Sequence, residues 1–410
     1  MEKRRSLLTI KNYPAWLGVD TFLLAGSAVH WIIMSVMAYQ LSGSLAYAGW
    51  FSTIRGITSS VTQIVGGTFI DRHNHRLLMI AQSSICCVLW TIMGLLFITG
   101  NLTFALFVAL CLSSSVVFGF LGGTTNAALI RIVGPERYPE AESVNQGRDA
   151  LVNTAGSPLG AVLFGLNQAF PFFASAVLDG LAFLCALTID LPDNAPAKDR
   201  RTSPVTDMIE GFRWVLSSKL IVSSMLVVAL VQFSIFGTMQ AVNLNLVSAG
   251  TEPLLISLTN IFTAAGMVLG SIFSTKMCTR IPVGKGAPLV AIFMALSYLP
   301  MIVVGNYVSI AVSLFLMSLP VPLFSALLSG FAFSKTPFER QGRTRSVIMC
   351  FLSLFASMSG AFAGEFIGRI GFQWLAAAMA STVTVAAILM VINPLLRRIP
   401  SADRWDEISL

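Results

Sequence analysis

Apolar runs long enough to cross a bilayer recur along the whole chain, separated by short polar punctuation. A spanning helix needs about 20 mainly apolar residues. On that measure the first half predicts helices over roughly 15–39, 45–69, 77–98, 102–131, 143–167 and 171–190. The second half predicts them over roughly 217–247, 253–276, 286–304, 308–333, 344–369 and 372–396. One stretch breaks the rhythm: LPDNAPAKDRRTSPVTDMIEGFRW, residues 191–214, rich in Pro and charge and close to the middle of the chain. The pattern predicts an all-α membrane protein of twelve transmembrane helices in two six-helix bundles, 1–190 and 215–410, joined by a loop over 191–214.

Composition supports lipid as the main solvent: of 410 residues, 55% are hydrophobic and 11% charged, a balance no water-soluble surface of this size would carry. A net charge of +7 would suit a nucleic-acid partner, but the placement of the basic residues argues against one. Lys3, Arg4, Arg5 and Lys11 precede the first helix, Arg72 and Arg76 follow the second, and Arg131 and Arg137 follow the fourth. Lys198, Arg200, Arg201, Arg213 and Lys219 fill the central connection, and Arg397, Arg398 and Arg404 close the chain. The alternate connections carry almost none, with Arg369 the exception, so both termini and the central loop are expected on the cytoplasmic side. The apolar segment after the basic start is too long for a signal-peptide core and is read as an uncleaved first helix.

The six cysteines fall in or at the edges of apolar runs without CxxC spacing or neighbouring His, which reads as packing and not as metal or disulfide chemistry. No metal or cofactor is expected. HExxH, GxSxG and Walker patterns are absent, which argues against a membrane enzyme.

A duplicated six-helix unit predicts that a feature of one half returns in the other. Gly66, Asp71, Arg72 and Arg76, advanced by 204 residues, fall on Gly270, Thr275, Lys276 and Arg280, and Arg131 falls on Lys335. The small and basic positions return, and the acid does not.

The segment GGTFIDRHNHR holds a Gly, a DR pair and a further basic residue just beyond the second predicted helix. In this the chain resembles the major facilitator superfamily. The stretches YQLSGSLAYAG, NAALIRIVGPERYPEAESVNQGRDALVNTAGSPLGAVLFG, LDGLAFLCAL and GFRWVLSSKLI extend the likeness to its bacterial drug and siderophore exporters, macrolide efflux proteins and the enterobactin exporter among them. The resemblance implies alternating access and export driven by the proton gradient, with Gly66, Gly67, Asp71, Arg72 and Arg76 as a gating motif at the cytoplasmic surface of a bacterial inner membrane. Gly66 and Gly67 are expected to let the second helix approach a neighbour closely. The antiporter pattern GPxxGG of the fifth helix is only partly kept, as Pro158 and Gly160, with Gly147 and Gly156 on earlier turns for packing and a kink.

An ionisable group in hydrocarbon costs roughly 2.5–3.5 kcal/mol on insertion scales, so each one is a functional candidate. Asp20, Arg55, Arg148, Asp149 and Asp179 fall within predicted spans. A proton-coupled carrier needs a carboxylate whose protonation differs between its two facing states, and Asp20 meeting Arg55 or Arg148 would supply one. Snorkelling to the interface is the alternative for Asp20, and interhelical hydrogen bonding the alternative for Asp179. His30, Asn126, Gln232, Phe236, Gln240 and Asn243 are the candidates for a substrate wall, with helix packing explaining them almost as well.

So little fixed charge favours a neutral or amphipathic organic substrate over multiply charged anions. The reading is a monomeric secondary transporter whose partners are such a substrate, protons and membrane lipid, with uptake or lipid flipping on the same scaffold as the alternative, and a non-transporting sensor behind it.

Overall fold

The computed structural model describes residues 6–134, 136–191, 213, 215–277, 281–334, 341–397 and 399–401. These residues form helices and no strand. In chain order they are α1 (Tyr13–Ser42), α2 (Leu45–Arg72), α3 (His75–Ile98), α4 (Phe104–Leu121), α5 (Thr124–Val133), α6 (Tyr138–Leu166) and α7 (Phe170–Thr188). There follow α8 (Lys219–Ser248), α9 (Pro253–Met277), α10 (Val283–Leu296), α11 (Leu299–Val303), α12 (Tyr307–Ser318), α13 (Val321–Ser334), α14 (Gln341–Ile370), α15 (Phe372–Ile392) and α16 (Pro394–Arg397).

Local chemistry sets the ends. Gly43, at φ 65°, closes α1 in the left-handed region that glycine enters without strain. Asn74, Thr103, Ser218 and Asn306 cap α3, α4, α8 and α12 by accepting from the first free N–H groups. Three expected spans are interrupted. The fourth divides at Gly122 and Gly123, the ninth at Ser297 and Tyr298 ahead of Pro300, and the tenth at Leu319 and Pro320. Glycine and proline are what interrupt a helical hydrogen-bond ladder.

Ten helices or helix pairs among the described residues are long and apolar enough to cross a membrane. The long helices outside that set are α2 and α6, with 28 and 29 residues. Both have the length to span, about 42–44 Å at 1.5 Å per residue. They miss on composition because they carry the charged residues Arg55, Arg148 and Asp149 among hydroxyl and amide side chains.

The chain divides into two compact units: Met1–Gly43 with Ile54–Arg201 and Glu252–Ser257, and Ser44–Thr53 with Thr202–Thr251 and Leu258–Leu410. In the first unit α1 packs on α6 and α7, and α3 on α7. A buried cluster of Tyr13, Trp16, Val19, Met79, Leu129, Val133 and Ile189 gathers α1, α3, α5 and the end of α7. In the second unit α8 packs on α14 and α15, and α10 on α15. Its cluster joins Val215, Ile221, Met225 and Ala229 to Val347, Ile348 and Leu352. The opening turns of α2 belong to this second unit, where Thr53 Oγ1 donates to the Ser357 carbonyl and accepts from Ala361 N–H, both at 2.7 Å.

Gly66 does bring α2 tight against α4: a Cβ there would strike the Phe120 backbone. Gly67 does not contribute, since nothing lies within 4 Å of where its Cβ would be. Adjacent helical positions differ by about 100° in direction, so only one of the pair faces the neighbour. In the second unit Gly270 meets the Leu319 carbonyl in the same manner. Lys335, Arg280 and residues 192–212 lie outside the described residues.

Candidate functional site

The charged group of the first unit is assembled by α1 and α6. Asp20 stands about 10 Å into α1 and Arg148 about 15 Å into α6, at 1.5 Å per residue. The Arg148 guanidinium binds two carboxylates: Nη2 donates to Asp20 Oδ2 and to Asp149 Oδ1, and Nε donates to Asp149 Oδ1 at 3.0 Å. Nη1 donates to Thr21 Oγ1 at 3.2 Å. The side chains of Arg148 and Asp20 retain 14% and 19% of their exposure, and that of Asp149 43%. The three formal charges sum to −1, so one added proton brings the group to neutrality.

The shell around this group is aromatic and rigid. Trp16, one turn before Asp20, is fully buried and donates through Nε1 to the Thr125 carbonyl at 2.8 Å. Its ring lies 6.0 Å from Arg148 Cζ and stacks on Tyr13. These contacts fix the height of α1 against α5 and so the position of Asp20.

Of the two arginines expected near Asp20, Arg148 pairs with it and Arg55 does not. Arg55 Cζ stands 5.0 Å from the centre of the Trp31 ring. His30 is buried, 3.1 Å from Ser175 Oγ through Nδ1 and 4.1 Å from the Trp90 ring centre. Ser175 in turn donates to the Gly26 carbonyl at 3.0 Å. Asp179 is buried beside Gly26.

The residues expected to form a gating motif divide. Asp71 lies in the last turn of α2, not beyond it, because α2 runs to Arg72; its side chain is outside the described residues. Arg72 is exposed, and Arg76 Nη2 donates to the Leu187 carbonyl at 2.8 Å, tying the start of α3 to the end of α7. On α6, a Cβ at Gly156 would meet Ala28 and one at Gly160 the Val29 carbonyl, so both serve close packing on α1. Gly147 does not, having nothing within 4 Å. Pro158 sits between them inside the helix, and its missing N–H removes one bond of the ladder.

In the second unit Gln240 donates to Ser52 Oγ at 2.7 Å, Asn243 is buried, Gln232 is half-buried and Phe236 is 47% exposed. Asn126, on α5 in the first unit, is exposed.

The profile of the Major Facilitator Superfamily matches residues 21–360. The chain belongs to the Major Facilitator Superfamily. No curated protein matches the chain at a significant level. Among solved structures, the nucleoside transporter NupG is 13% identical with a TM-score of 0.68, covering 92% of this chain and 98% of that one. A bacterial homologue of the iron transporter ferroportin, in an inward-facing state, is 14% identical with a TM-score of 0.69, covering 94% and 99%. A POT family transporter in complex with 5-aminolevulinic acid is 13% identical with a TM-score of 0.70, covering 95% and 99%. At such identities these likenesses establish the fold. Membership of the Major Facilitator Superfamily makes the chain a multi-pass membrane transporter of small molecules and not an enzyme.

Five residues in these polar groups were not singled out from sequence. Trp16 precedes Asp20 by four residues, the spacing at which a helix presents two side chains on one face, while Thr21 follows Asp20 by one and reaches Arg148 Nη1 from the adjoining direction. In the second unit, Ser234 and Thr238 flank the fully buried Tyr298, whose Oη lies 2.7 Å from Ser234 Oγ and 3.1 Å from Thr238 Oγ1. The four-residue spacing of Ser234 and Thr238 was the available signal.

Proposed function

We propose that this superfamily member is a secondary exporter that couples inward proton movement to the outward passage of a neutral or amphipathic organic molecule, of drug or siderophore type. It works as a monomer by alternating access between six-helix bundles over 1–190 and 215–410, with cytoplasmic termini, in a bacterial inner membrane. The observation that carries this reading is the Asp20–Arg148–Asp149 group. Two carboxylates on one guanidinium leave a single negative charge in a low-dielectric span, and a proton removes it. Protonation of Asp20 breaks its charge-assisted bond to Arg148 and frees α1 to move against α6, which links proton occupancy to helix position. Asp149, the more hydrated of the two acids, keeps the arginine paired meanwhile.

The test is purified protein in liposomes under an imposed pH gradient, with a macrolide and a catecholate siderophore as trial substrates. The wild type is expected to move at least one of them only with the gradient, and Asp20→Asn to lose that dependence. Gradient-independent flux in the wild type, or unchanged coupling in the variant, overturns the proposal.

A further inference from the structure

Arg55 lies about 15 Å from the first residue of α2, near its middle. An arginine at such a place on a spanning helix is costly unless a partner or water meets it. Among the described residues its guanidinium makes no ion pair and no hydrogen bond; its contact is with the face of Trp31. Arg55 and Trp31 each stand twelve residues from the Gly43 turn, on antiparallel helices, and therefore at one level. Trp31 is 56% exposed, and Arg55 is partly so. The titratable groups within its electrostatic reach are His30, engaged with Ser175, and Cys111, 3.4 Å from Met34 Sδ. Neither is a carboxylate.

A cation–π contact returns only part of what removing a guanidinium from water costs. A cation kept at this depth without an anion faces water or the cargo, not lipid. Arg148 shows the contrast within the same unit, since it holds two carboxylates of its own chain. The proton group is thus complete without Arg55, and Arg55 has donors to spare.

We propose that Arg55 and Trp31 form a substrate subsite for a planar organic acid, the carboxylate taken in a forked pair of hydrogen bonds by Arg55 and the ring lying against the indole of Trp31. The inference deepens the proposed transport function and rests on it for the word substrate: the amphipathic cargo carries one acidic group. One arginine matches one carboxylate, in keeping with the scarcity of other fixed charge in the spans.

The full chain, purified in detergent, is titrated with 1-naphthoate and with its neutral counterpart 1-naphthamide by equilibrium dialysis. Saturable binding of the acid is expected, at least tenfold tighter than the amide. Arg55→Gln should weaken the acid at least tenfold and erase the preference, Arg55→Lys should retain part of it, and Trp31→Ala should weaken both ligands. Equal binding of acid and amide to the wild type overturns the proposal, as does a preference that survives Arg55→Gln. If Arg55→Gln does not fold, Trp31→Ala decides, and unchanged affinity for the acid is the overturning result. Acid preference together with unchanged pH coupling in Asp20→Asn would sink the proton-export reading and leave this one standing. Coupled flux without acid preference would do the reverse.

Discussion

The two units solve one packing problem in the same way and then diverge where charge is concerned. Gly66 against Phe120 in the first unit and Gly270 against Leu319 in the second place the same tight crossing 204 residues apart. Higher on the same pairs the small and larger partners exchange: Gly119 receives Thr62 in the first unit, and Gly266 receives Ser318 in the second. The crossing is conserved as a volume while the residue that provides the space changes helix. Arg148, moved by the same 204 residues, becomes Leu352, packed among Ile221, Met225, Val347 and Ile348. The scaffold therefore stands with an apolar contact at this place. A buried ion pair seldom outperforms well-packed apolar residues in stability, so the charged version in the first unit points to work other than holding helices together.

The largest effect should come from forcing each unit toward the other's chemistry. Leu352→Arg places an unpaired cation in a buried cluster and is expected to destabilise by about 4 kcal/mol. Arg148→Leu should cost less, roughly 2 kcal/mol, because Asp20 and Arg148 retain 19% and 14% of their exposure and water takes over part of the solvation. Adding Asp20→Asn to Arg148→Leu should recover most of that loss without restoring the proposed proton coupling. Thermal unfolding in detergent checks the series, and a Leu352→Arg variant as stable as wild type would erase the contrast between the units.

Next in size is the shared crossing. Gly66→Val and Gly270→Val each drive a side chain into backbone and should cost about 3 kcal/mol by overpacking. Gly67→Val, next in sequence with open space around it, should stay within about 0.5 kcal/mol of wild type. Unequal costs at Gly66 and Gly270 would show that the repeat is formal and not energetic.

Much of this was legible in the chain. Spans follow from hydropathy because lipid forces backbone groups to pair within each segment, whereas the breaks at Gly122, Gly123 and Pro320 fall inside runs that hydropathy reads as continuous, although glycine and proline are the residues that usually interrupt a helix. Asp20 and Arg148 stood out because charges are rare there. Which arginine would meet Asp20 was not legible, since that depends on how α1, α2 and α6 rotate against one another, and a rotation of one residue separates Gly66 from Gly67. Extending α2 through Asp71 to Arg72 was likewise obscured: hydropathy ends with the apolar run, whereas the helical ladder continues through polar residues.

The smallest effect separates two ways of tying α1 to the end of α7 in the first unit. Lys11 Nζ lies 2.8 Å from Asp190 Oδ2, with both side chains about three-quarters exposed. The ammonium holds Asp190 below the usual carboxylate range. A lowered value means that the contribution is present above the ordinary carboxylate pKa of about 3.9 and is lost as pH falls through the native one. Beside it Asn12 makes a reciprocal pair with the Asp190 backbone, donating to its carbonyl at 2.8 Å and accepting from its N–H at 3.1 Å, with φ at 70°. Solvent and salt screen the ion pair but leave the backbone bonds intact. Asn12→Ala should therefore cost about 1 kcal/mol, through lost hydrogen bonds and a left-handed backbone that alanine tolerates poorly. Lys11→Met should lower the melting temperature at neutral pH only slightly, by less than Asn12→Ala, with the difference from wild type vanishing as Asp190 is protonated at low pH. A Lys11→Met loss as large as that of Asn12→Ala, abolished by high salt, would assign the tie to charge.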